Sequence, residues 1–191
     1  KETTMANRNT QGFGLIPAGT LGSTPSTAGQ GKYKIDAGYG TTIYNGGAVA
    51  SSAGYIVEGQ GTDTPILGVL NGIFYNAATT LKPTFANFYK TPITPANSED
   101  IDAFVYDNPQ QQYVVAADAA VAQSGYLETY DMNVSAGSDT TGKSSATLDI
   151  GDTSGDAASW RLLRSAEDPE NDENAAFRSV VVVANLIELQ S

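Results

Sequence analysis

Ile66-Leu67-Gly68-Val69-Leu70, carried on through Asn71-Gly72 into Ile73-Phe74-Tyr75, is the stretch from which the fold is read. A strand with one wet face alternates apolar and polar residues. This one has no polar position between Ile66 and Leu70, so both of its faces must be covered. It is therefore expected as a central core strand. Gly68 inside such a pattern marks a bulge or a tight bend of the sheet.

Working outward, short extended segments recur between turn signals. On the N-terminal side, Tyr33 and Ile35 alternate with Lys32 and Lys34, and Thr42 to Tyr44 ends at Asn45-Gly46-Gly47. Ala48 to Ser51 and Tyr55 to Glu58 flank a turn at Ser52 to Gly54. On the C-terminal side, Asp102 to Tyr106 and Gln111 to Ala116 are joined by Asp107-Asn108-Pro109-Gln110. Asp and Asn favour that turn, and Pro presets φ. Val121 to Tyr130 has no clear period. Met132 and Val134, then Ala146, Leu148 and Ile150, alternate with polar residues, and Trp160, Leu162 and Leu163 follow with Arg161 and Arg164 facing away. Phe177 to Leu189 reads as a long closing strand. With at least nine strands and no amphipathic helix, the expected class is all-β: a β-barrel or sandwich of short antiparallel strands.

Two segments depart from this rhythm. Residues 1–31 are polar and rich in Gly, Thr and Ser, with Phe13, Leu15, Ile16 and Leu21 as the large apolar residues, and are expected as an extended N-terminal arm. Met5-Ala6-Asn7 resembles a translation start, with residues 1–4 as a tag remnant or an upstream start. The second is a loop excursion at 76–98 within the domain 32–191, holding Pro83, Pro92 and Pro95 and anchored by Phe85, Phe88 and Tyr89.

Composition excludes several chemistries. The chain has no His and no Cys, which removes thiol nucleophiles, disulfides and thiolate or imidazole zinc sites. Ten Lys and Arg against twenty-one Asp and Glu give a net charge of −11, unfavourable for binding a phosphate backbone, so no direct nucleic-acid partner is expected. No apolar run approaches the roughly 20 residues of a membrane span, and the N-terminus lacks a signal peptide's hydrophobic stretch. No membrane partner is expected. Charged residues make up only 16% of the chain, so hydroxyls, amides and backbone cover much of the surface.

One string imitates a catalytic motif. Gly137-Ser138-Asp139-Thr140-Thr141-Gly142-Lys143-Ser144 fits the nucleotide-binding pattern G-x-x-x-x-G-K-[ST]. That chemistry needs a helix after the loop, whose N-terminus cradles phosphate. Here Ala146, Leu148 and Ile150 alternate instead, and a flexible hairpin loop is expected. Asn133-Val134-Ser135 is a glycosylation sequon that matters only in a secretory pathway. The acidic groups at Glu99, Asp100 and Asp102, at Asp149, Asp152 and Asp156, and at Glu167 to Glu173 lie beside turn residues and are expected as solvated turns. A glycosidase would need two carboxylates facing each other at roughly 5–10 Å. Calcium held by oxygen ligands at Asp149 to Asp156 or at Glu167 to Glu173 stays open as an alternative, although neither stretch matches the spacing of an EF-hand loop. No catalytic, cofactor or metal residue is assigned.

Several strings resemble one family together. Lys34-Ile35-Asp36-Ala37-Gly38-Tyr39-Gly40-Thr41-Thr42-Ile43-Tyr44-Asn45-Gly46-Gly47-Ala48-Val49 is similar to the I-x-x-G-Y-x-x-x-I-x-x-G-D-x-V run of tailed-bacteriophage capsid decoration, or cement, proteins, with Gly47 where an Asp is common. Thr64 to Gly72 resembles their next element, and Ala103-Phe104-Val105-Tyr106-Asp107-Asn108-Pro109 followed by Gln112-Tyr113-Val114-Val115 a third. The similarity covers about residues 32 to 134. It implies a non-enzymatic structural protein on the outer surface of the virion capsid, made in the host cytoplasm, which bridges major capsid protein subunits. It also implies self-association, a homotrimer ahead of a dimer. Phe13, Leu15 and Ile16 of the arm are the first candidates for partner contact, and Phe85, Phe88 and Tyr89 the second. A carbohydrate-binding or adhesin module, using exposed Tyr and Asp, is the alternative, and a carboxylate-based hydrolase a further rival.

Overall fold

The computed structural model describes residues 7, 9–22, 29–59, 61, 64–134, 137–152, 158–172 and 174–190. Residues 1–6 (the possible tag and Met5-Ala6 of the start), Arg8 and residues 23–28 of the expected arm, Ser135 of the sequon, Asp156 and Glu173 lie outside the described residues.

The chain is all-β, in two sheets. The first sheet contains β1 (Ile16–Thr20), β8 (Gln111–Ala117), β9 (Thr129–Tyr130), β10 (Met132–Asn133), β11 (Thr147–Leu148), β12 (Trp160–Ser165) and β13 (Ser179–Ala184). Its order is β10-β11-β8-β13-β12-β9. Since Asp131 alone separates β9 from β10, the two ends of this sheet are one continuous strand that changes partners, and the sheet nearly closes into a barrel. Buried Asp131 sits at the crossing point. Its carbonyl accepts the Asp149 N–H at 3.0 Å beside β11, and its Oδ1 accepts the Ser159 N–H at 3.3 Å beside β12. Among the described strands of this sheet, every pairing is antiparallel except β11 on β8. Trp160 and Tyr113 meet edge to face at 5.7 Å inside the barrel.

The second sheet contains β2 (Gly31–Ile35), β3 (Ala48–Ser52), β4 (Tyr55–Glu58), β5 (Gly68–Asn76), β6 (Pro83–Ala86) and β7 (Ile101–Tyr106), in the order β2-β7-β5-β3-β4 with β6 on β5. Each sheet encloses its own apolar cluster, and the 66–70 stretch feeds both: Ile66 and Val69 belong to the barrel core, Leu67 and Leu70 to the core of the second sheet. Ala48 and Val49 divide in the same way. Gly68 is required by contact. A Cβ there would lie 2.2 Å from the Tyr106 carbonyl oxygen.

Three segments take their form from tertiary contacts. Within residues 76–98, β6 pairs with β5, and Tyr89, one of the expected anchors, enters the second core. The closing strand is confined to Ser179–Ala184; beyond it the chain bends, and Ile187 bridges Ile66. Among the N-terminal residues, β1 lies along the edge of β8, the Leu15 N–H donates to Gly46 O at 2.8 Å, and Asn7 donates to Ala176 O at 2.9 Å. These residues pack on their own barrel, polar composition notwithstanding, because β8 has an unfilled edge and backbone hydrogen bonds are available there.

Leu15 is 2% exposed and its neighbour Ile16 46%. Leu15→Ala is expected to lower the unfolding free energy by about 2–5 kcal/mol, and Ile16→Ala by less than about 1 kcal/mol. Urea denaturation of both variants measures this, and equal costs would show that the segment is not seated as described.

Candidate functional site

The outer face of the second sheet carries a cluster of three aromatic side chains, Phe85 exposed and Phe74 and Phe104 half-buried. On β7, Ile101, Ala103 and Val105 enter the core, so Asp102, Phe104 and Tyr106 point the other way. Strand register then sets two rows across the face: Lys34, Asp102, Phe74 and Phe85 in one, and Lys32, Phe104 and Gly72 in the next. Across β5, Phe85 stacks on Phe104, with centroids 5.4 Å apart and planes at 14°. Phe74 closes on Phe85 at 5.7 Å. Phe85, on an edge strand, remains 70% exposed.

Beside this ridge, Asp102 is held by two ammonium groups, Lys34 Nζ at 2.6 Å and Lys32 Nζ at 2.7 Å. Burial pushes the Asp102 carboxyl upward, but the two lysines together outweigh it and hold it below the ordinary Asp value. Asp102 is thus a fixed anion, poorly suited to donating a proton. A cavity of about 280 Å³ opens next to it, lined by Lys34, Phe74, Tyr75, Asn76, Pro95, Glu99, Asp100 and Asp102. The Tyr55 hydroxyl donates to Asp100 at 3.2 Å. Elsewhere, burial raises the pKa of Glu58, yet the small cavity it lines brings no second carboxylate to it. Among the described residues, no three Asp or Glu side chains gather in a way that could hold a metal ion.

The candidate contact residues fall into different places. Phe85 is at the crest of the ridge. Tyr89 is 0% exposed, its hydroxyl donating to the Tyr39 carbonyl, and Leu15 lies in the barrel core, so neither offers surface to a partner. Phe88 stacks flat on Tyr44 at 5.6 Å, Phe13 is half-buried, and Ile16 is exposed on β1, in the other sheet. Phe74 and Phe104 were not singled out from the sequence, although the two-residue period of β7 places Phe104 outward among core-facing neighbours.

The nucleotide-like string is a clamp between the sheets. A strand, not a helix, follows it. Its backbone meets Asn45, the Asn45 N–H donating to Gly142 O and the Ser144 N–H to Asn45 O, both at 2.9 Å. Asp139 accepts from the Tyr44 hydroxyl at 2.8 Å and pairs with Lys90 at 2.9 Å. Both motif glycines are there for packing: a Cβ on Gly137 would meet Lys143 O at 2.3 Å, and one on Gly142, at φ +71°, would meet the Phe88 ring at 2.4 Å.

No protein-family model matches the chain, and no curated protein or solved structure matches it significantly.

Two outcomes follow. Gly142→Ala should lower the unfolding free energy by about 1–3 kcal/mol, whereas Lys143→Ala, which alters an exposed side chain, should leave it within about 0.5 kcal/mol; chemical denaturation of the two variants decides. Asp102 has a depressed folded pKa, so its contribution is complete above the ordinary Asp range and fades as pH falls through the folded value. Its lysine partners are solvated, which limits the pairing to about 1 kcal/mol. The stability gap between wild type and Asp102→Asn should accordingly be present at neutral pH and close in strong acid. A gap independent of pH would refute this assignment.

Proposed function

We propose that this chain is a structural virion protein that decorates the outside of a tailed-phage capsid and bridges neighbouring major capsid subunits, without enzymatic activity. The observation that carries the reading is the Phe74–Phe85–Phe104 ridge, an aromatic cluster on the face of a sheet with Phe85 exposed at its crest. Aromatic residues are enriched in protein interfaces, and a few well-packed ones dominate their binding energy. The sequence resemblance between about residues 32 and 134 supports the capsid as the partner.

Physically, a clamp of this kind stabilises an expanded shell if it binds a surface that the unexpanded shell does not present. It needs a frame that does not yield, and two cores sharing one strand provide it. Many copies acting together multiply the effect, and self-association into a homotrimer would place several ridges on one local axis. A net charge of −11 keeps free copies apart until a complementary surface is reached.

The test mixes the full chain with undecorated expanded shells and with unexpanded ones, and measures the bound fraction after sedimentation. Wild type should bind the expanded shells alone, and Phe85→Ser should bind them at least about ten-fold more weakly with an unchanged melting temperature. Failure of the wild type to bind either shell, or equal binding by Phe85→Ser, would overturn the proposal.

A further inference from the structure

We infer that the cavity beside the ridge receives a basic side chain, arginine or lysine, from the same protein surface that sets an apolar residue against Phe85. The inference rests on the ridge being a docking face and adds the chemistry of what docks.

Charge is the first argument. The cavity and its rim bring together three carboxylates, Glu99, Asp100 and Asp102, and two ammonium groups, Lys32 and Lys34. Both lysines are committed to Asp102. Asp100 has a neutral donor, the Tyr55 hydroxyl, and no hydrogen bond or ion pair among the described residues reaches the Glu99 carboxylate, on which Lys34 acts only at longer range. One negative charge is therefore in excess locally, on a chain whose overall charge has the same sign. A cation is drawn to this place and an anion is repelled.

Shape is the second. The cavity is wide enough for a guanidinium or ammonium head, and one wall is the Phe74 ring, which is also the near end of the ridge. An aromatic face beside carboxylates suits a cation with an apolar stem: the stem lies against the ring while the head reaches the acids. Asn76, Tyr75 and Pro95 complete the lining without adding charge. An apolar anchor on Phe85 and a cation against Phe74 would then be adjacent on the partner, because the two rings touch. Such a pairing joins a desolvated aromatic contact to a charge that sets partner choice.

The probes are blocked dipeptides, N-acetyl-Phe-Arg-amide and N-acetyl-Phe-Glu-amide, and a methyl glycoside, titrated into the full chain while backbone amide resonances are followed by NMR. The Arg peptide should shift the amides of Phe74, Asn76 and Asp100. Its affinity should fall at least about three-fold in a Glu99→Gln/Asp100→Asn double variant and with added salt. No shift at these amides, or an equal shift by the Glu peptide or by the glycoside, would overturn the inference; the last result would mark a saccharide site instead. Shell binding separates this inference from the capsid reading. If wild type decorates expanded shells and the double variant does so equally well, with the same salt dependence, the basic-side-chain assignment fails and the capsid role stands. If shells are not decorated while the Arg peptide binds as described, the capsid role fails and the assignment stands.

Discussion

Because side chains alternate along an extended backbone, a segment lying between two apolar layers must be apolar at every position, and it must also leave room for the strand beside it. Ile66 to Leu70 meets both demands, sending Ile66 and Val69 one way, Leu67 and Leu70 the other, with Gly68 against the Tyr106 carbonyl. Burying an aliphatic side chain is worth about 1.5–3 kcal/mol, so four of them hold the two sheets in one arrangement. Ala48 and Val49 repeat the device on β3. The ridge inherits its rigidity from this joint, since Phe74 stands on the same β5 strand that passes between the cores.

Much of this was legible in the sequence because it depends on period alone. The two-faced 66–70 stretch, the alternation of 101–106 and the Asp107–Gln110 turn are local patterns, and the all-β class follows from them. The turn forms as its residues suggest, with the Gln110 N–H donating to Asn108 Oδ1 at 2.9 Å. Barrel closure was not legible. It hangs on Asp131, whose carbonyl and carboxylate face opposite partners, and no local pattern distinguishes that residue from a solvated loop acid. The place of Leu15 was hidden for a similar reason: a lone leucine among Gly, Thr and Ser looks unanchored until the edge of β8 and the Gly46 carbonyl are brought to it from far along the chain.

The candidate site shows the same division. Phe85 stood out as a large aromatic in a proline-rich segment, but so did Tyr89, and only tertiary packing sends one to the surface and the other into the core. Phe74 and Phe104 could have been suspected from strand period. Their assembly with Phe85 could not, because it joins β5, β6 and β7, whose registers are set by pairings between segments apart in sequence. The nucleotide-like string errs in the opposite direction. Its glycines fit a phosphate loop by pattern and an aromatic surface by contact, and the contact is what the chain uses.

β13 pairs with β8 on one side and β12 on the other, yet it follows every other strand in chain order. During synthesis the second sheet, whose strands all lie between residues 31 and 106, has what it needs long before the barrel does. The barrel must wait with the edge of β8 open until Ser179–Ala184 leave the ribosome. The long-range pairing of β8 with β13 thus comes after the second sheet's strands, and contacts distant in sequence are the costliest to close. Assembly therefore has an order in time: the strands that carry the ridge are complete first, and the barrel beneath them is closed only when β13 is inserted.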